Sequence, residues 1–184
     1  MKLFMIMLGC RPKGRFTEQH DIFFGIANSL KDLIPEMKAF WPEAKGKIHV
    51  DVWREVTSVD NYSIEVVAKT NDSVIENQLF FINLGGYKEN EFEEFHYKML
   101  AIGLEMSQAV KQSKETAFYK HCGFKGATSH IDDKFGVDVD DIYNVREILE
   151  LDLKEKFELK ITKSETELPE DELHIGYLKL EKIL

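Results

Sequence analysis

The chain contains one 25-residue pattern twice. When the sequence is shifted by 76 positions, residues 3–27 align with residues 79–103 without a gap. Chance would give about one or two identical pairs at ordinary residue usage. A repeat of this length indicates that one supersecondary unit is built twice, so the fold must accommodate two related modules. The nine identical pairs are Leu3/Leu79, Phe4/Phe80, Ile6/Ile82, Leu8/Leu84, Gly9/Gly85, Phe16/Phe92, Glu18/Glu94, His20/His96 and Ile26/Ile102.

Shorter matches continue the repeat in the same order along the chain. The spacing between the copies grows, which indicates insertions in the second copy, the largest of them directly after Asp132. We therefore predict a first module in residues 1–76 and a second in residues 77–184, joined in the polar stretch 71–78. The matched segments are residues 38–41 with 116–119, 49–51 with 130–132, 53–56 with 145–148, and 62–66 with 157–161.

The hydrophobic pattern predicts a β-β-α-β-β order for one module. Residues 2–8 form a short apolar run that ends at a glycine, which is typical of a buried strand. Residues 17–27 fit either a helix or a second strand, and the missing apolar periodicity of a helix favours the strand. Ser29 and Asp32 resemble a capping box at the start of a helix that Pro35 should kink.

Two more strands, residues 47–56 and 62–69, complete the module, and residues 173–183 predict a further strand after the second copy. We read this last strand as a cap, because it stands where a third copy would begin. The fold class predicted is therefore α+β, with two tandem β-β-α-β-β modules, mainly antiparallel sheet and a C-terminal capping strand.

Composition excludes several classes of protein. The net charge of −9 disfavours nucleic acid and anionic membrane surfaces as partners. No apolar run approaches the 18 or more residues of a membrane span. We expect a soluble cytoplasmic protein, with a homo-oligomer compatible with the sequence. The two cysteines, Cys10 and Cys122, have neither metal-ligand spacing nor a disulfide pattern.

The N-terminus imitates a lipoprotein signal, because an apolar run precedes Leu8, Gly9 and Cys10. The run is shorter than the 7–15 residues of a signal core. The second copy repeats it in mid-chain, at residues 79–86, where a signal cannot function. We predict a strand followed by a glycine turn, with Cys10 retained and not lipidated.

Four polar positions are identical in the two copies. Within each copy they form a Glu-x-His pair and a His-x-Asp pair, and this spacing puts both members of a pair on one face of a strand. One sheet can then bring two imidazoles and two carboxylates together, whereas a helix would separate the members of a pair by about 200°. The positions are Glu18/Glu94, His20/His96, His49/His130 and Asp51/Asp132.

Such a set is compatible with three roles. Histidine–carboxylate pairs between strands satisfy buried polar groups without any chemistry. The same groups suit a divalent transition metal as cofactor, or a carboxylate that orients a histidine for proton transfer. A small-molecule site is the third alternative. The chain contains no P-loop, dinucleotide fingerprint, nucleophile elbow or zinc spacing.

The motifs also resemble a known family. Leu8-Gly9, residues 18–21, Trp41, residues 49–51 and residues 59–62 resemble a bacterial family defined only as a domain of unknown function, family fifteen forty-three. Its pattern is Leu-Gly-Gly, Glu-x-His-Asp, His-Ile-Asp and Val-Asp-Gly-Tyr. Here Cys10 replaces the second glycine and Asn61 the later one, a position whose turn asparagine tolerates.

The resemblance implies a bacterial origin and a module that occurs singly or in tandem, and it implies no activity. From the residues we favour a binding or structural protein without enzymatic activity. The alternative is a metal-dependent enzyme or metal-binding protein that uses the duplicated Glu-x-His and His-x-Asp residues.

Overall fold

The computed structural model describes residues 1–70, 76–122, 130–131 and 141–184. The chain forms two compact units, one of Met1–Asn71 with Leu149–Leu184 and the other of Asp72–Ile148. The C-terminal segment thus lies with the first repeat, although chain order puts it in the predicted second module. The repeat boundaries at residues 76 and 77 stay a prediction, and most of the predicted join lies outside the described residues.

Runs of strands are interrupted by short helices in both units, as expected for an α+β chain. Short 3₁₀ helices at Leu30–Leu33, Pro42–Ala44 and Leu180–Lys182 accompany them. The strands are β1 (Lys2–Cys10), β2 (Gln19–Ala27), β3 (His49–Glu55), β4 (Ser58–Val59), β5 (Tyr62–Ala68), β6 (Gln78–Tyr87), β7 (Glu94–Gly103), β8 (His130–Ile131), β9 (Ile142–Asn144), β10 (Phe157–Lys163) and β11 (His174–Lys179). The α-helices are α1 (Ile34–Phe40), α2 (Met106–Lys114), α3 (Ala117–His121), α4 (Val145–Ile148) and α5 (Leu151–Lys156).

The first unit is built around the antiparallel hairpin β1–β2, which we call hairpin one. Lys2 pairs with Ala27 at one end and Cys10 with Gln19 at the other. The strand interpretation of residues 17–27 is confirmed and the helical alternative is wrong. Residues 23–27 are all buried, so both faces of this segment are covered although β2 is the edge strand of its sheet, and no amphipathic pattern is present.

The predicted capping box begins the helical segment of the first unit. The Asp32 carboxylate accepts hydrogen bonds from the Ser29 backbone N–H at 3.0 Å and from its hydroxyl at 2.9 Å. Pro35 lies at the start of α1, where its missing N–H costs no helical hydrogen bond. The predicted kink is therefore a change from a 3₁₀ turn to an α-helix.

Two sheets complete the first unit. A four-stranded antiparallel sheet has the order β11-β3-β1-β2, and a smaller one the order β10-β5-β4. The C-terminal strand is shorter than predicted and pairs with β3. Ile6, Leu8, Leu33, Met37 and Val50 are fully buried in the core. Each such side chain contributes about 1.5–3 kcal/mol to folding.

In the second unit β6 pairs with β7 on one side, forming hairpin two, and with β8 and β9 on the other. The sheet packs on α2 through a core that includes Phe80, Ile82, Leu84 and Ala109. The mainly antiparallel α+β class is confirmed. The duplication of the whole module remains an inference from the sequence.

One of the weaker sequence matches is wrong in register. The alignment equates residues 53–56 with 145–148, but Trp53 lies in β3 and residues 145–148 form α4. Trp53 pairs with Ile6 as Ile142 pairs with Ile82, so the equivalent residue precedes Val145 by three positions. The strand ends there because the Asn144 side chain accepts a hydrogen bond from the Arg146 N–H and so caps the helical turn.

Candidate functional site

A glycine of β1 lies between two histidines in neighbouring strands. Gly9 is directly opposite His20 in β2 and directly opposite His49 in β3. Residues directly opposite in a sheet share a face, so both imidazoles stand on the side where Gly9 has no side chain. The sheet register therefore creates an open space flanked by two histidines.

A β-bulge puts Asp51 at the same place. Met7 pairs with Val52 and Leu8 with Val50, so β3 has one residue more than β1 at this point, and that residue is Asp51. On its other side, β3 pairs with Ile175 and Leu178 of β11, and residues 176–177 bulge opposite Asp51. Bulges redirect side chains and are common beside functional sites.

Four polar side chains meet over Gly9, and we call them the His–carboxylate cluster: Glu18, His20, His49 and Asp51. His49 Nε2 lies 3.3 Å from Glu18 Oε1 and 3.3 Å from Asp51 Oδ1. His20 Nε2 lies 3.2 Å from Asp51 Oδ2 and 3.9 Å from Glu18 Oε2. The structure thus brings together all four predicted residues of the first copy.

These contacts are close but are not hydrogen bonds. His49 Nε2 and Asp51 Oδ2 are buried, and neither has a hydrogen-bond partner among the residues that the structure describes. The His49 side chain is only 7% exposed, whereas those of His20 and Glu18 are 41% and 45% exposed. The cluster therefore combines a buried pair without hydrogen-bond partners, His49 and Asp51, with a half-exposed pair, Glu18 and His20.

Gly9 is required for this arrangement. A Cβ atom built on Gly9 would collide with His49 Nε2 and Asp51 Oδ2. Any larger residue would push both groups apart, so the glycine permits the close approach of the polar atoms. The repeat contains this signal, since Gly9 and Gly85 are an identical pair, but sequence reasoning assigned the glycine only to a turn.

The C-terminal strand contributes two aromatic contacts to this face of the first unit. The Tyr177 ring lies 4.2 Å from the His49 ring, and the His174 ring stacks on Trp53 at 3.9 Å. Gly176 has φ of +141°, a conformation that favours glycine and that forms the bulge beside Tyr177. Sequence reasoning missed Tyr177, because no local pattern links it to His49.

The second copy has the same backbone register, and its described side chains make two polar contacts whose partners have no counterpart in the first cluster. Gly85 lies opposite His96 in β7 and opposite His130 in β8. His96 Nδ1 contacts Asn83 Nδ2 at 3.2 Å, and the Tyr87 hydroxyl donates a 2.5 Å hydrogen bond to Glu94. Asp132 lies outside the described residues, so the predicted convergence of the second set stays a prediction.

Among the described residues, no group of three or more histidine, cysteine or acidic side chains has the arrangement needed to hold a metal ion. Within the same ranges, no helix has the length and apolar character needed to cross a membrane. Cys10 next to Gly9 is buried. Burial and the nearby carboxylates of Glu18 and Glu43 raise the pKa of its thiol, so this cysteine is a poor nucleophile.

Comparisons with known proteins bear on family and fold. Residues 15–66, which include the whole His–carboxylate cluster, match the family described as Domain of Unknown Function (DUF1543), and this confirms the resemblance over that range. A crystal structure of a protein Il1583 from Idiomarina loihiensis is similar over 97% of both chains, with 20% identity and a TM-score of 0.54. At this identity the likeness concerns the fold alone. No curated protein matches the sequence.

Proposed function

We propose that this chain is a binding protein whose ligand occupies the His–carboxylate cluster. The observation that carries the proposal is the buried His49 Nε2, which faces two carboxylates at 3.3 Å and has no hydrogen-bond partner in the described part of the chain. A ligand that engages this nitrogen and the Asp51 carboxylate would supply the missing interactions.

The alternative is a cluster that only stabilises the sheet. Structural polar clusters are satisfied internally, because an unpaired buried polar group costs about 1–3 kcal/mol, and a charged group costs more. The first unit contains such a structural carboxylate for comparison. Asp171 accepts hydrogen bonds from the Thr57 N–H at 3.0 Å and from its hydroxyl at 2.6 Å.

The difference between these two aspartates gives a test that needs no ligand. Binding sites carry groups that the folded protein alone does not satisfy, so neutralising one of them stabilises the ligand-free protein. We expect Asp51→Asn to raise the melting temperature of the chelator-treated, dialysed full chain by about 2–4 °C, equivalent to about 1 kcal/mol at this size. Asp171→Asn is the matched control and should lower it.

If Asp51 has a structural role, Asp51→Asn should lower the melting temperature instead of raising it. If Asp51→Asn lowers the melting temperature as Asp171→Asn does, the carboxylate stabilises the folded state and the proposal fails. Circular dichroism of both variants checks that the comparison is made between folded proteins.

A further inference from the structure

We propose that the ligand of the His–carboxylate cluster is a divalent transition-metal ion, which rests on the proposed function and specifies its chemistry. The donors come from both strands that flank Gly9 and from the loop before β2: His49 and Asp51 from β3, His20 from β2, and Glu18 from the loop. No other described side chain is needed to complete four donors.

The donor set selects the class of ion. Two imidazole nitrogens and two carboxylate oxygens suit zinc, manganese, iron, cobalt or nickel. Calcium and magnesium prefer sites made of oxygen alone. Two carboxylates also balance the charge of a divalent cation, so the loaded cluster would be neutral with both imidazoles in their ligating, uncharged form.

The spacing of the donors fits a small centre. Tetrahedral ligands at about 2.0–2.2 Å from a metal are separated from each other by about 3.3–3.6 Å. The four nitrogen–oxygen separations in the cluster are 3.2, 3.3, 3.3 and 3.9 Å and involve both oxygens of each carboxylate, so the side chains must still move to form a four-donor centre. Two of these atoms, His49 Nε2 and Asp51 Oδ2, have no hydrogen-bond partner among the described residues and so remain available to an ion.

Two of the donors are fixed and two can move. Burial and the Tyr177 ring at 4.2 Å hold the His49 imidazole, and the bulge holds Asp51. Glu18 and His20 are half exposed and have room to rotate. We infer that the ion binds the fixed pair first and draws these two side chains inward, so the site is completed by binding rather than formed beforehand.

Cobalt is the most direct probe, because its visible spectrum distinguishes a four-coordinate protein site from the hydrated ion. The protein is the full chain, purified without an affinity tag and stripped with chelator. We expect Co²⁺ to give a four-coordinate spectrum, Zn²⁺ to displace it, and equal concentrations of Mg²⁺ or Ca²⁺ to leave it unchanged.

Two histidine variants test the location of the site. His20→Ala removes a half-exposed donor at little risk to folding, and we expect it to weaken Co²⁺ binding by at least about 100-fold, since even indirect partners of metal ligands are worth 10–100-fold. His121→Ala removes an exposed histidine of the second unit and should leave binding unchanged. Equal effects of the two variants would mean adventitious surface binding and would overturn the inference.

The metal inference and the binding proposal can fail separately. If Asp51→Asn stabilises the protein but Co²⁺ keeps its hydrated spectrum, the cluster binds something other than a metal, and only the metal inference is lost. If Asp51→Asn destabilises the protein and no Co²⁺ binds, both are lost. A four-coordinate spectrum that disappears in His20→Ala supports both.

Discussion

Hairpin one and hairpin two share their backbone pairing and differ in two polar contacts made by the repeated histidine and glutamate. In both, a glycine lies opposite a histidine of the next strand, Gly9 with His20 and Gly85 with His96. In hairpin two, Asn83 contacts the histidine and Tyr87 binds the neighbouring glutamate. The aligned residues of hairpin one are Met7 and Arg11.

The apolar identities and the polar identities of the repeat therefore constrain different features of the structure. The apolar identities are sufficient to reproduce a buried hairpin with one register. The polar identities do not fix every contact, because residues at other positions, Asn83 and Tyr87, add contacts to the histidine and the glutamate of hairpin two.

The largest expected effect concerns the buried apolar residues that the two hairpins share. Leu8 and Leu84 are aligned, and both are fully buried. Leu8→Ala and Leu84→Ala should each cost about 2.7–5 kcal/mol in the free energy of unfolding of their own unit, because each leaves a cavity in a close-packed core. Both tryptophans lie in the first unit, so fluorescence follows its unfolding and amide hydrogen exchange follows the second.

If the two substitutions differed in cost by more than about 2 kcal/mol, the expectation that Leu8 and Leu84 are equivalently packed would be wrong. The two cores would then not tolerate the same cavity, and the equal register of the hairpins would not reflect equal packing.

A smaller effect is expected at the polar end of hairpin one. Gly9→Ala places a methyl group against His49 Nε2 and Asp51 Oδ2, and overpacking of this kind costs about 1–3 kcal/mol. If the clash is with the imidazole, the penalty should largely disappear in a His49→Ala background. Denaturant unfolding of the four proteins of this double-mutant cycle measures the coupling. An unchanged penalty would locate the strain in the backbone and not in the cluster.

The smallest expected effect concerns α1 and α2. Glu36 aligns with Lys114, and its Oε2 atom is buried with no hydrogen-bond partner within the described ranges. Burial raises the pKa of Glu36, and the negative charges of Asp152 and Glu150 raise it further. The folded state therefore holds this proton more tightly than the unfolded state does. Stability contributed by the protonated form is lost as pH rises through the raised pKa.

Glu36→Gln should accordingly raise the melting temperature at pH 7 by about 1–2 °C, a small gain because solvent screens this partly exposed group. Most of the gain should be lost near pH 4, below the ordinary glutamate pKa of 4.5, where the glutamate is mostly protonated in both states. Lys114→Gln is the control and should show no such pH dependence. Thermal melts at the two pH values decide the matter, and a gain that persists at pH 4 would contradict the assigned cause.

The sequence predicted what local patterns encode. The strand at residues 2–8, the hairpin partner and the Ser29–Asp32 capping box all follow from short-range periodicity and hydrogen bonding, and the structure confirms them. The i,i+2 spacing likewise predicted that His49 and Asp51 share a face. These features depend on residues that are close in the chain.

The missed features depend on residues that are far apart. The bulge at Asp51 arises from how β3 fits both β1 and β11, and nothing within β3 encodes it. The contact of Tyr177 with His49 joins residues that are 128 positions apart in the chain (177 − 49). The three-residue error near Val145 arose because a similar sequence forms a strand in one copy and a capped helical turn in the other.

The discontinuity of the first unit has a consequence for synthesis on the ribosome. Residues 1–71 emerge well before β10 and β11, the strands of the same unit that pair with β5 and β3. The second unit emerges whole in between and can fold before the first is complete. In the nascent chain β5 therefore lacks its β10 partner until residues 157–163 have been made. Likewise, β3 lacks its β11 partner, and the cluster lacks Tyr177, until residues 174–179 have been made.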